Sequence, residues 1–304
     1  MVDHRFQRAR LREKVGRTGN DLQGLRALQP RQRLPVHLDH AEIVAADTND
    51  LADVYVRDRA TKTNDLVSVS TTEALEDKAS GDYAGGAVMD ISDDGRYVVF
   101  ESDATNLIGA GNDTNGFTDI YRRDRTAGVT ARVSQAGALA GNGPSNVPSM
   151  SADGTVVVFS TMANNLVAND TNSAYDIVLK RMDGSPSNTR VSTGAVANPN
   201  GYANQPAISA NGNLVVFTSN ASNLVANDTN AAPDVFLRNV SAATTTRVSV
   251  WTGGGQLAQG ADEADISPDG SRITFETANR PSGAEDGDEL KDVYLREGST
   301  TSRV

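Results

Sequence analysis

The chain has 304 residues, 38% of them hydrophobic, no cysteine, and a formal net charge of −11 at pH 7. Without cysteine there are no disulfide staples and no thiolate metal sites. No run of 18 apolar residues offers a membrane-spanning helix, and an acidic chain is poorly suited to phosphate backbones, which excludes nucleic acid as the main partner.

Residues 1–36 carry nine Lys and Arg against Asp3, Glu13 and Asp21, a net +6 that leaves −17 for the rest. Gly16, Gly19, Gly24 and Pro30 interrupt any amphipathic arm, so this stretch reads as a basic, non-repeat leader, disordered or spurious. It lacks the apolar core of a secretory signal. Next come ADTNDLADVYVRD (46–58) and LVSVS (66–70), which match the second half of a unit that recurs downstream. The first half is missing, and VHLDHAEIVA (36–45) stands there as a candidate substitute strand. A repeat cut in two at a composition break reads as a truncation, wrong start or shifted frame, which an in-frame half repeat in the upstream DNA would establish.

Four full copies follow. MDISDDGRYVVFES (89–102), PSMSADGTVVVFST (148–161), PAISANGNLVVFTS (206–219) and ADISPDGSRITFET (264–277) align, and their glycines, Gly95, Gly154, Gly212 and Gly270, recur every 58 or 59 residues. A second block, NDTNGFTDIYRRD and its equivalents, recurs in step, each with a closing strand such as TARVS. The spacing predicts four strands per unit. The first ends at the I-S or M-S pair, and a D-G or N-G turn leads to a second such as Tyr97 to Ser102. The third is Asp119 to Arg123 and the fourth Ala131 to Ser134. The second strand is continuously apolar, as in Val156, Val157, Val158 and Phe159, so both of its faces should be buried.

Four short antiparallel strands repeated at this period predict an all-β fold, a β-propeller of four-stranded antiparallel blades, with about five blades or a fragment of a larger ring. A solenoid has shorter repeats with fewer elements. The boundaries are a leader at 1–36 and a propeller at 37–304, divided into a partial repeat at 37–70 and repeats at 71–134, 135–192, 193–249 and 250–304.

The stretch Ser267, Pro268, Asp269, Gly270 ahead of an apolar strand resembles the S-P-D-G signature of TolB-like propeller repeats. DVYVRDRATK and DIYRRDRTAG resemble that family's strand and D-x-x-x-G turn, and the resemblance covers residues 45–304. It implies a bacterial, WD-like repeat protein that is periplasmic or secreted and acts as a non-enzymatic scaffold in envelope or secreted assemblies. The chain departs from the translocation protein itself in lacking its N-terminal α/β domain and an export signal, and in the N-L-V-A-N-D-T-N insertion, so a role in the Tol system does not follow.

The repeated acidic loop is the most pointed chemical feature. It comprises Asp47, Asn49, Asp53; Asp113, Asn115, Asp119; Asp170, Asn172, Asp176; Asp228, Asn230, Asp234; and Asp286, Asp288, Asp292, each with spacing 1, 3, 7. Alternating Asp and Asn converge hard oxygens as calcium requires, although the Gly and bidentate Glu of an EF-hand are absent. The other reading is a turn: Asx side chains cap the backbone, and the last Asp pairs with Arg132, Arg190, Arg247 or Arg303 of the closing strand. Calcium is therefore a candidate ligand and no other cofactor is expected.

The loops before the third strands and the linkers between blades should share one rim. Tyr83, Asn146, Tyr202, Asn204, Trp251 and Asp262 are candidates there for binding a protein partner or small ligand; solvated linkers, and edge packing for Trp251, are the plain alternatives. No catalytic residue is assigned: His4, His37 and His40 precede the repeats, and there is no G-x-S-x-G elbow. The functional readings are a non-enzymatic binding scaffold, a calcium-stabilised secreted module, and a carbohydrate-active propeller enzyme.

Overall fold

The computed structural model describes residues 33–38, 44, 47–83, 86–87, 89–184, 188–194, 198–279 and 290–304, and among these there is no helix. Four antiparallel four-stranded meanders account for most of it. The second sheet is Met89–Ile91, Tyr97–Ser102, Asp119–Asp124 and Val129–Arg132; the third is Ser145–Met150, Val156–Thr161, Asp176–Arg181 and Asn188–Arg190. The fourth is Ala203–Ile208, Leu214–Ser219, Asp234–Asn239 and Thr244–Arg247; the fifth is Asp262–Ile266, Arg272–Thr277, Asp292–Glu297 and Thr300–Arg303. The first sheet has three strands, Arg33–Leu38, Asp53–Asp58 and Asn64–Leu66.

A substitute strand does stand in for the missing half repeat, but it starts earlier than the sequence suggested. Arg33 pairs with Asp58 and Leu38 with Asp53, so Arg33–Pro35, assigned to the leader, belong to the first sheet. The fourth strands also shift. The ladder ends at Arg132, and Ser134 leaves it because its hydroxyl accepts the Ile120 amide at 3.0 Å and donates to Asp119. A serine that replaces a ladder carbonyl as acceptor ends the strand without orphaning an amide.

Each apolar second strand sends alternate side chains to opposite neighbours. Val98 and Phe100 pack with Val54 and Val56 of the first sheet and Val67 just after it, whereas Val99 packs with Val157, Phe159 and Val178 of the third. Val158 faces Val215 and Phe217, and Val216 faces Ile273 and Phe275. Sheets adjacent in sequence are thus stacked face to face, with their first strands in close contact, so the sheets fan out around an axis. The fifth sheet departs from the expectation of burial on both faces: Ile273, Phe275 and Thr277 are buried, but Arg272, Thr274 and Glu276 are only half-buried. Its second strand alternates as a strand with one covered face should.

The S-x-D/N-G turns tie the sheets together. In each, Ser accepts from the glycine amide, as in Gly95 N to Ser92 O at 2.8 Å, and the Ser hydroxyl donates to the Asp or Asn two residues on. The residue after each Ser then bonds to its counterpart in the next sheet: Asp93 N to Ala152 O at 2.8 Å, Ala152 N to Ala210 O at 3.0 Å, and Ala210 N to Pro268 O at 2.9 Å. The turn glycine has φ near 70° and comes up against the preceding sheet. A Cβ on Gly212 would lie 2.8 Å from Val156 Cγ2, and one on Gly154 would overlap the ring of Tyr97. Glycine is needed there for both conformation and space.

Candidate functional site

The acidic loops lie at the start of the third strands. In the second repeat Asn115 Oδ1 accepts the Phe117 amide at 2.9 Å, while its Nδ2 donates to Asp119 Oδ2 at 2.8 Å and to Gly141 O at 3.0 Å. Asn49, Asn172 and Asn230 repeat this Asx turn, with carbonyl partners Glu76, Pro199 and Leu257. The asparagines are therefore engaged in holding the loop to the following linker.

The aspartates meet the closing-strand arginine. Arg132 lies 3.1 Å from Asp113 Oδ1 and 3.4 Å from Asp119 Oδ2, while Tyr121 donates to Asp113 Oδ2 at 2.7 Å. Arg190 lies 3.3 Å from Asp170 and 3.5 Å from Asp176, and Arg247 lies 3.3 Å from both Asp228 and Asp234. In the last repeat Arg303 reaches Asp292 at 2.9 Å at a more exposed position; Asp286 and Asp288 lie outside the described residues. Burial pushes the carboxyls of Asp119, Asp176 and Asp234 up, against the pull of their Ser and Arg partners. In the three middle repeats, then, the positive charge beside the paired carboxylates is a guanidinium. Among the described residues no three His, Cys, Asp or Glu side chains form a ready-made metal-binding group.

The first repeat is different. Leu66 stands opposite Tyr55, the place that Arg132 takes opposite Tyr121. Asp47 accepts from Tyr55, Asp53 accepts from Ser68 at 2.6 Å, and Glu76, which has no acidic counterpart in the other copies, accepts from Ser80. Burial and the nearby Asp53 charge push Glu76 up to about 11.

The expected rim forms a second feature. The first strands of the third, fourth and fifth sheets all break register at the same point, between Asn146 and Ser149, Asn204 and Ala207, and Asp262 and Asp265. The residues within these bulges, Val147, Gln205 and Glu263, have φ of 53°, 55° and 49°. They link neighbouring sheets: the Val147 amide donates to Glu101 Oε2 at 3.1 Å, and Gln205 Nε2 donates to Glu263. Asn146, Asn204 and Asp262 hold equivalent places beside them. Asn146 Nδ2 donates to Tyr175 Oη at 3.2 Å, and Lys291 pairs with Asp262. Tyr202 is 38% exposed, and burial together with the Asp262 charge raises its phenol. These strands start beside the acidic loops, since Ala203 N bonds Tyr175 O and Ala261 N bonds Pro233 O.

Trp251 does not join this group. It packs edge-on against Tyr294 with centroids 5.6 Å apart, sealing the fourth sheet to the fifth. The Tyr83 side chain, His4 and His40 lie outside the described residues, and His37 is in the substitute strand. Sequence reasoning missed the closing serines, Ser68, Ser134, Ser192 and Ser249, although their recurrence in every R-V-S or V-S pair was visible. It also missed Glu76, legible only as a departure from the repeat, and the bulges, which no residue type marks.

No protein-family model matches the chain, and no curated protein matches it in sequence. Among solved structures it is similar to TolB from Acinetobacter baumannii, at 14% identity over 90% of this chain and 52% of that one, with a TM-score of 0.48. A putative TolB from Agrobacterium tumefaciens is similar at 17% identity over 83% and 73%, with a TM-score of 0.49. The tricorn protease is similar at 10% identity over 90% and 25%, with a TM-score of 0.50. The chain thus spans about half the length of the Acinetobacter protein, and at these identities the likeness is one of fold. Four-stranded meanders fanned around an axis in S-x-D/N-G repeats make this chain a β-propeller.

Proposed function

We propose that the chain is a non-enzymatic binding scaffold, acting outside the cytoplasm, whose partner is a protein segment or small ligand seated on the rim where the acidic loops meet the first strands. One observation carries this reading: three consecutive first strands bulge at the same point, with non-glycine residues at positive φ. Bulges re-aim side chains, and backbone held in sparsely populated regions gathers at functional sites. The bulge positions also vary where the scaffold does not. Val147, Gln205 and Glu263 differ in kind, whereas the aspartate, serine and turn glycine are the same from copy to copy.

Photo-crosslinking residues placed at Asn204 and Asp262, and at Asp153 and Asp269 on the opposite rim, test this in the source cell. A discrete adduct from the first pair alone is the expected result. Adducts only from the second pair, or equally from both, would move the site elsewhere.

A further inference from the structure

The first repeat departs from the next three at two equivalent positions at once. Strand register puts Leu66 where Arg132, Arg190 and Arg247 stand. The bond from the loop asparagine to a linker carbonyl puts Glu76 where Gly141, Pro199 and Leu257 stand. One departure removes a buried cation and the other adds a buried acid.

That acid is held by neighbours that carry no positive charge. Glu76 is 3% exposed, and its carboxyl shares a hydrogen bond with that of Asp53, which is 0% exposed. Ser80 donates to Glu76, Ser68 donates to Asp53 at 2.6 Å, and Asn49 bonds both the Asp53 carboxyl and the Glu76 carbonyl. Among the described residues the other titratable groups that act on the pair are Asp47 and Tyr55, which bond each other. Asp77 and Lys78, next along the linker, are exposed. An ionised carboxylate only accepts, so a bond between two carboxyls requires that one of them keep its proton. A proton on Glu76 therefore does in the first repeat what a guanidinium does in the middle ones.

The pair also ties two segments together. Beside it the Ser80 amide donates to Ala52 O at 2.8 Å, and Asn49 reaches Glu76 O at 3.4 Å, so the loop before Asp53 is held to the linker 71–80 that leads into the second repeat. We propose that this joint is a proton-operated latch, which closes by taking one proton from solvent onto Glu76 to bond Asp53, opens by releasing it, and so holds the first sheet more firmly in acid than at neutral pH. The sign follows from the surroundings. Burial, and then the Asp53 charge, push the closed Glu76 carboxyl up to about 11, whereas a glutamate in water titrates near about 4.3. Throughout the interval between them the closed joint keeps a proton that the open one sheds, and each added pH unit favours opening by up to about tenfold. The arginines of the middle repeats stay charged over the whole interval and have no such proton to lose.

Hydrogen–deuterium exchange of the full chain at pH 5 and pH 8, corrected for the intrinsic rate, tests the proposal. Protection of residues 71–80 should fall by about tenfold or more across this range, while that of residues 135–141, tied to the loop that Arg132 clamps, stays level. Glu76→Gln, whose amide donates to Asp53 without titrating, flattens the dependence, and so does Leu66→Arg, which restores the guanidinium. Protection of 71–80 that does not fall with pH in the unaltered chain overturns the proposal, as does an equal fall in both linkers. Undiminished dependence in Glu76→Gln overturns it too, or in Leu66→Arg if Glu76→Gln fails to fold.

Discussion

Each middle-repeat arginine lies against two aspartates at once, and that geometry makes the residue costly to lose. Arg132→Leu, which copies the first repeat without adding Glu76, leaves Asp113 and Asp119 buried and unpaired. Breaking a buried pair in this way costs about 3–5 kcal/mol, and urea unfolding should show a loss of that size. A more exposed pair behaves differently. Arg96 holds Asp124 through two hydrogen bonds, at 2.9 and 2.6 Å, and keeps its carboxyl down at about 2. A depressed carboxyl contributes stability that is complete above its unfolded value and is lost as pH falls through the folded one. The melting temperature should therefore fall less steeply between pH 5 and pH 2 in Arg96→Ala than in the unaltered chain. At this scale the sequence was half legible. The 1, 3, 7 spacing showed that the aspartates act together, but both calcium and arginine satisfy that spacing, and only the register of the closing strand brings Arg132 between them.

Among elements, the turn between the first and second strands repays the closest comparison. The D-G or N-G dipeptide was legible as a hairpin, and the second strand beginning at Tyr97 was placed correctly. Its role between sheets was not, because a glycine in sequence records conformation but not what presses against it. Gly154→Ala forces both a positive φ on an L side chain and an overlap with Tyr97, and should destabilise by roughly 1–3 kcal/mol. Pairing it with Tyr97→Gly, which also removes the Tyr97 Cβ that would lie 2.9 Å away, in a double-mutant cycle separates the two causes: the overlap with Tyr97 disappears and the conformational part stays. The closing serine makes a second case. Ser134→Ala strips partners from the Ile120 amide and from Asp119, both buried, and should cost about 1–3 kcal/mol by the same urea assay.

At the scale of the whole molecule the architecture was the most legible level, since a repeat of 58 residues with four strands leaves few arrangements. Less was readable at the two ends of the described stack. The strand Arg33–Leu38 lies outside the repeat pattern and crosses the expected boundary, and the half-covered face of the fifth sheet shows only as a change from V-V-V-F to R-I-T-F. Local stability should follow burial, because segments with fewer buried contacts open more readily. Hydrogen–deuterium exchange should find the slowest amides in Val156–Thr161 and Leu214–Ser219, both buried along most of their length, and faster ones in Thr300–Arg303. Uniform exchange across the five sheets would mean that they open as one unit. The chain of turn amides also has a direction. Asp93, Ala152 and Ala210 each donate toward the following sheet, and the series arrives at Pro268, which has an acceptor and no N–H. A unit joined on the Pro268 side would need another kind of fastening, whereas one joined on the Asp93 side could donate to its carbonyl by the same bond. Duplication of blades in such a protein is chemically one-sided: copies can be threaded in upstream of this proline with the fastening intact, and the position of a single imino acid fixes which way the array can be lengthened.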